Sequence, residues 1–351
     1  MNNQAAELME QVGKMGSKLA KGYEVLRKID HVDVATTPKE LVWQRDHVKI
    51  YHYKRDTPAK SKIPVLVSFA IINRHDVLDL QPDRSLIKKL LDEGLDIYIM
   101  DWGYPTRRHK YLTMDDYING FMNDAVDFVR KDAGVEKIHK MGICQGGTFS
   151  TIYTSIYPEK IKTLTVLVAP FEFSGNESVL FRWAKDIKVD TIVDSVGNMS
   201  ADMLNQAFGM LKPTMSISKY TGIMDSIDDE DKLMNFLRME AWKADCPDFP
   251  GECYRQYIKD LFQENKLIKG ELVVGDKKVN LKNITMPVMN IYATDDNIIP
   301  MSATVPLNDA IGSKDHEIYK FQGGHIGVFV GARSQKELGP AISSWMIARS
   351  K

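Results

Sequence analysis

The chain has 351 residues, 44% of them hydrophobic and 26% charged, with a formal net charge of −1. That apolar content suffices for one large domain with an insertion, and the near-neutral balance makes nucleic acid and anionic membranes poor default partners. The longest apolar runs are strand-sized, far below the roughly 20 residues of a membrane helix, and Met1-Asn2-Asn3-Gln4 does not read as a signal peptide, so a cytoplasmic chain with no transmembrane segment is expected.

An amphipathic segment from Ala5 to Ile29 opens the chain, with Leu8, Val12, Met15 and Leu19 expected to pack on the core; partner contact is the alternative. Val48 to Tyr53 reads as a strand and Val65 to Ile72 as a buried one. A helix from near Ser85 to Gly94 then leads to the strand Ile97 to Met100, which delivers Asp101 at its C-terminal end. Thr113 reads as the N-cap of a helix carrying Tyr117, Phe121, Ala125 and Phe128 on one face and stopping at Gly134.

The run Ile138-His139-Lys140-Met141-Gly142-Ile143-Cys144-Gln145-Gly146-Gly147 follows. It has the form of a nucleophile elbow with cysteine where serine usually sits: a strand enters a very tight turn and leaves as a helix, so small residues are required two before and two after the nucleophile. Such a turn lifts the Cys144 sulfur above the sheet edge and aims the Gln145 backbone N–H and the helix N-terminus at whatever the sulfur attacks. The competing reading is a glycine-rich turn around a buried structural cysteine.

Leu164 to Val168 is a further apolar strand. From about Glu172 to Asn283 helical patterns and polar loops take over, with a hairpin signal at Val273-Val274-Gly275-Asp276. Met199, Met203, Met210, Met215, Met224, Met234 and Met239 cluster here, either as core filler or as an adaptable acyl-binding surface, and Gly175, Gly197, Gly209 and Gly222 sit in its loops. Cys246 and Cys253 lack the paired spacing or nearby histidines of a zinc site and read as ordinary free thiols, so no metal and no disulfide is expected.

After the strand-like Val288 to Tyr292 comes Ala293-Thr294-Asp295-Asp296-Asn297-Ile298-Ile299-Pro300, and after Glu317 to Phe321 comes Gln322-Gly323-Gly324-His325-Ile326-Gly327. Nucleophile, acid after a late strand, and histidine after the last strand is the chain order of an α/β-hydrolase triad. The expected fold is therefore α/β: a mostly parallel central sheet with helices on both faces and an inserted, largely helical cap. Its expected parts are an N-terminal helical segment (1–45), a first core portion (46–171), the cap (172–283) and a second core portion (284–351).

The Gly-x-Cys-x-Gly-Gly box at Gly142 to Gly147, Asn73-Arg74 with Asp79-Leu80-Gln81, Asp101-Trp102-Gly103-Tyr104-Pro105, and Gly323-Gly324-His325-Ile326-Gly327 together resemble the polyhydroxyalkanoate synthases, which polymerise 3-hydroxyacyl-CoA into storage polyester. The resemblance runs from about Val65 to the C-terminus. The short chain and the Asp-Trp-Gly-Tyr-Pro form are similar to the class III catalytic subunit, which works with a second, non-catalytic subunit; class IV is the near neighbour. One position departs: Asn297 stands where the family commonly has histidine. The resemblance implies an (R)-3-hydroxyacyl-CoA substrate such as 3-hydroxybutyryl-CoA, a growing polyester chain, a second subunit, a homo-oligomer, a place at the surface of storage granules, and no cofactor.

In the chemistry so implied, Cys144 is the nucleophile, His325 its base, and Asp296 the residue that holds the imidazole, with Asp295 as its competitor. Oxyanion donors are expected at Gln145 and at Ile72 or Asn73, from the loop after the Val65 to Ile72 strand. Asp101, Trp102 and Tyr104 line the pocket or pack a turn, and His75 and His109 are expected at the surface. Cysteine suits this reaction because transfer from one thioester to another keeps the acyl group activated. Two rivals remain: a thiol hydrolase on the same fold, either a polyester depolymerase or a thioesterase, and an inactive granule-associated scaffold.

Overall fold

A computed structural model describes residues 3–29, 31–211 and 227–351. Its centre is an eight-stranded sheet of β1 (Lys39–Arg45), β2 (Val48–Tyr53), β3 (Val65–Ser68), β4 (Ile97–Asp101), β5 (Ile138–Ile143), β6 (Ile161–Leu167), β7 (Val288–Ala293) and β8 (His316–Phe321). In space the order is β1-β2-β4-β3-β5-β6-β7-β8, with β1 and β2 antiparallel and every pairing from β4 to β8 parallel. The crossing of β3 and β4 places β3 and β5 side by side in the middle. Their carboxyl ends, where ligands bind in open parallel sheets, therefore share one rim.

Apolar layers cover both faces, as the continuous hydrophobic strands require. One joins Tyr117 and Phe121 to Phe149, Ile152 and Tyr153 of α4 (Gln145–Ile156). The other joins α2 (Leu86–Asp92) to Phe329, Ile342 and Trp345 near the C-terminus. Ser85 caps α2 by accepting from the Lys88 N–H at 2.8 Å. Thr113 donates its N–H and hydroxyl to the Asp116 carboxylate, and the helix runs with widened turns over Asp116–Met122 before becoming regular in α3 (Asn123–Asp132).

Between β6 and β7 lies the cap: α5 (Val179–Asp186), α6 (Val189–Val196), α7 (Ala201–Leu211), α8 (Glu230–Ala244) and α9 (Gly251–Gln256), which continues in wider turns over Tyr257–Gln263. The hairpin pairs Val273–Val274 with Lys277–Lys278. No described helix is long and apolar enough to cross a membrane.

Three local expectations are corrected. The first helix, α1 (Asn3–Lys28), leaves Met15, Leu19, Tyr23 and Leu26 exposed instead of packing them on the core, and touches the chain through Gly22 against Ile227 and Lys18 near Asp228; Leu8 and Val12 lie outside the described side chains. The stretch assigned to an N-terminal helical segment also contains β1, an edge strand whose alternation is weak because Glu40, Leu41 and Gln44 all face solvent. In the cap, Met199 is buried, but Met203 and Met210 are exposed and so are not core filler; Met215, Met224 and Gly222 lie outside the described residues.

Candidate active site

Cys144 leaves β5 with φ 52° and ψ −129°, a conformation that costs a non-glycine residue roughly 1–3 kcal/mol and persists only where its surroundings enforce it. The enforcement is visible. Its N–H donates to Leu167 O at 2.9 Å, and its carbonyl accepts the first helical bond, from Gly147 N–H, at 2.8 Å. A Cβ at Gly146 would sit 2.3 Å from Phe69 O and 2.4 Å from Ser68 O, and one at Gly142 would sit 2.6 Å from Gly147 Cα. Backbone runs through the space that any side chain would need, so both glycines are sterically obligatory.

That close approach also explains why β3 ends at Ser68 and not at Ile72. The chain lifts off the sheet to pass over the elbow, and Ile71 N–H donates to Gln145 Oε1 at 3.1 Å. The Gln145 side chain thereby pins the loop from which the second oxyanion donor was expected. Ile72 packs with Cys144 against the same apolar layer, while Asn73 directs its amide to Cys246 Sγ at 3.2 Å.

The structure brings three of the expected residues together. His325 Nδ1 lies 2.6 Å from Asp296 Oδ2, and the ring is close enough to Cys144 for a charge there to act on it. Oδ1 of Asp296 accepts from Ile298 N–H at 2.9 Å and Ile299 N–H at 2.8 Å. Asp296 is buried where Asp295 is exposed, so the choice between the two carboxylates falls to Asp296. Burial pushes the His325 imidazole down, but the Asp296 carboxylate and the charge available on Cys144 outweigh it and raise the group from 6.5 to about 10. Asn297 is exposed and donates to Asp295 O at 2.9 Å, away from the ring.

Around this centre the cap is tied to the core. Trp242 Nε1 of α8 donates to Arg74 O at 2.7 Å, and Tyr104 OH donates to Asp245 at 2.5 Å. Arg74 grips Asp101 with both terminal guanidinium nitrogens and lies over the Tyr104 ring, 4.8 Å from its centroid. Asp101 also accepts Gly103 N–H at 2.8 Å, and Trp102 Nε1 donates to Phe69 O at 2.9 Å. Asp101 and Trp102 thus pack the turn that backs the elbow, and only Tyr104 is open to solvent.

A model of the alpha/beta hydrolase fold matches residues 76–332, and one of the poly-beta-hydroxybutyrate polymerase (PhaC) N-terminus matches residues 1–90. The poly(3-hydroxyalkanoate) polymerase subunit PhaC of Allochromatium vinosum is 40% identical over 98% of both chains, and that of Thiocystis violacea is 42% identical over 95% of both. The chain belongs to the PhaC family. Among solved structures, a monoacylglycerol lipase of Paleococcus ferrophilus superposes with a TM-score of 0.51 at 17% identity, covering 86% of this chain and 99% of that one, a likeness of fold alone.

Several motifs shared with PhaC prove to be scaffolding. Asp79 is buried and accepts from Thr37 N–H, Thr37 Oγ1 and Ser85 Oγ, fastening the segment before β1 to α2. His75 and His109 are buried, not at the surface as expected. His75 is stacked on Tyr51 of β2, and His109 lies against His47 with ring centroids 4.5 Å apart. Arg74 and Trp242 were not singled out from sequence for any role at the site. Only Arg74 left a trace, as the second residue of Asn73-Arg74.

Asp46, His47 and His109 bring three possible metal-ligand atoms within 4.8 Å of one another. The donor set does not suit a cation. Thr106 N–H is directed at His109 Nδ1 at 2.7 Å and Arg108 Nε–H at its Nε2 at 3.2 Å, so both ring nitrogens are already engaged by donors. Arg108 Nη2 at 3.1 Å from Asp46 already balances the carboxylate.

Proposed function

We propose that this PhaC-family chain polymerises (R)-3-hydroxyacyl-CoA, such as 3-hydroxybutyryl-CoA, with Cys144 as nucleophile, His325 as general base and acid, and Asp296 as its orienting carboxylate. The observation that carries this reading is an imidazole held at 2.6 Å by a buried carboxylate, within electrostatic reach of a cysteine in a strained strand-to-helix turn. His325 takes the Cys144 proton, and the thiolate attacks the thioester carbonyl. The oxyanion is met by the N–H groups at the start of α4 and by the loop beyond β3, and the tetrahedral species expels coenzyme A thiolate, which is protonated by His325. The product is an acyl-Cys144 thioester.

The acceptor is then a 3-hydroxyl of a second acyl group or of the growing chain. His325 removes its proton as the oxygen attacks the acyl carbon, an ester bond forms, and the Cys144–acyl bond breaks. No cofactor is required, because the thioester is both substrate and source of driving force. The substrate's bulk and the chain's length fit a site under a movable cap, and the family resemblance adds a second, non-catalytic subunit, self-association, and a cytoplasmic place at the polyester granule surface.

The test is purified protein with 3-hydroxybutyryl-CoA, alone and with a candidate second subunit, following coenzyme A release and polymer turbidity together. Both signals are expected, and both vanish in Cys144→Ala. Coenzyme A release with free acid and no polymer would replace the polymerase by a hydrolase, and turnover in Cys144→Ala would remove the nucleophile.

A further inference from the structure

Lys140 lies in the middle of β5 and is wholly buried. Side chains alternate along a strand, so it shares a face with Ile138 and Gly142, the face covered by α4. Opposite Gly142 in the register stands Ser68, the last residue of β3. The lysine reaches past its own register partner, Leu66, whose carbonyl lies 3.4 Å from Nζ, and donates to Ser68 Oγ at 2.6 Å. The Ser68 hydroxyl has one hydrogen, directed at Met100 Sδ of β4 at 3.7 Å, so towards the lysine it must accept.

This arrangement works against stability. No carboxylate bonds or pairs with Lys140 among the described residues, and a buried amine gives up its hydration. A methionine would fill the same volume without that cost. What the amine adds is a hold on Ser68, the point where the chain leaves the sheet. The residues that follow pass over the elbow: the Ser68 and Phe69 carbonyls occupy the space beside Gly146, Ile71 N–H bonds Gln145, and Ile72 packs with Cys144 against one apolar layer. Gly142, directly across from Ser68, has no side chain with which to hold it, so the hold comes from two residues earlier.

We propose that Lys140 is a positioning residue for the loop beyond β3: by fixing Ser68 it sets where the chain leaves the sheet, and with that the backbone N–H that meets the oxyanion. The fold gives up stability to keep it. The inference rests on Cys144 being the nucleophile and on this loop supplying an oxyanion donor, it holds whether the acyl acceptor is a hydroxyl or water, and it assigns Lys140 no contact with substrate.

Lys140→Met keeps the volume and removes the donor, and Ser68→Ala cuts the same bond from the other side. Each full-length variant is assayed for kcat and KM in coenzyme A release, for thermal melting at neutral pH, and for iodoacetamide alkylation of Cys144, read at that residue by mass spectrometry. Loss of the bond predicts kcat about 10-fold lower in both, with KM unchanged and the double variant no worse than either single one. Alkylation, which builds no oxyanion, stays at the wild-type rate. The melting temperatures move apart, up in Lys140→Met, which removes the buried amine, and down in Ser68→Ala, which strands it. A merely structural contact would lower activity and stability together. Wild-type kcat in either variant overturns the proposal, as do losses that add in the double variant, alkylation slowed as much as kcat, or melting temperatures lowered in both. Turnover in Cys144→Ala would instead overturn the nucleophile assignment beneath it.

Discussion

Asp296→Asn separates the two chemical steps, and the structure sets the size of the effect. Oδ1 accepts two backbone N–H groups, from Ile298 and Ile299, while Oδ2 faces His325 Nδ1. An asparagine must keep its carbonyl oxygen on the two N–H groups, because the flipped amide would forfeit both bonds and oppose donors to donors, at roughly 2–4 kcal/mol. Its NH2 is thus forced onto His325 Nδ1, which has to accept, and the ring proton moves to Nε2, the nitrogen that should receive the proton of thiol or hydroxyl. A misplaced tautomer of this kind costs a serine triad about 10⁴ in kcat. Elongation, whose hydroxyl is a weak acid, should fall by about 10³–10⁴, whereas acylation, whose thiol is a much stronger acid than a hydroxyl, should fall by only about 10–10². Rapid-quench measurement of the first equivalent of coenzyme A, against steady polymer growth, resolves the two. Equal losses in both steps would refute the division of labour.

Cys144→Ser should acylate slowly at best and then stall, because an oxoester on the enzyme gives up the thioester's driving force; steady polymer growth at the wild-type rate would contradict that. Hydrogen exchange over α8 should show faster exchange when a productive second subunit binds, as the ties from Trp242 to Arg74 and from Tyr104 to Asp245 open. Unchanged protection alongside full stimulation of activity would sink the cap as the element that moves.

Strand-to-helix alternation, the Gly-x-Cys-x-Gly spacing and the order of acid and histidine were legible because each is local: a tight turn needs glycine wherever it occurs, and a buried parallel strand is apolar throughout. What could not be read depends on contacts between distant segments. β3 stops at Ser68 because of Gly146, far along the chain, not because of anything between Val65 and Ile72. His75 and His109 look like surface residues among charged neighbours, yet they are buried against Tyr51 and His47. The methionines of the cap divide by which helix face meets the core, and the irregular spacing of the cap helices hides that face.

Lys140 shows how such a distant contact leads to a measurable consequence. It lies on β5, wholly buried, with Nζ donating to Ser68 Oγ at 2.6 Å and no carboxylate beside it among the described residues, and burial lowers it from 10.5 to about 7. His325 moves the other way, from 6.5 to about 10. Between about pH 7 and 10 the unfolded chain carries a proton on Lys140 and none on His325, and the folded chain the reverse. The two contributions to the pH dependence of stability have opposite sign and cancel, so these groups leave wild-type stability nearly flat there. A raised histidine stabilises fully below 6.5 and loses that as pH climbs to 10; a lowered lysine does the opposite, destabilising the fold below 7 and releasing that penalty as pH climbs to 10.5. Lys140→Met should therefore be more stable than wild type at neutral pH and lose about 1.4 kcal/mol per pH unit on going alkaline, while His325→Gln should gain stability with the same slope. Urea unfolding at a series of pH values reads both. Parallel curves for the wild type and the two variants would mean that folding does not, in effect, pass a proton from the strand beneath the elbow to the imidazole above it.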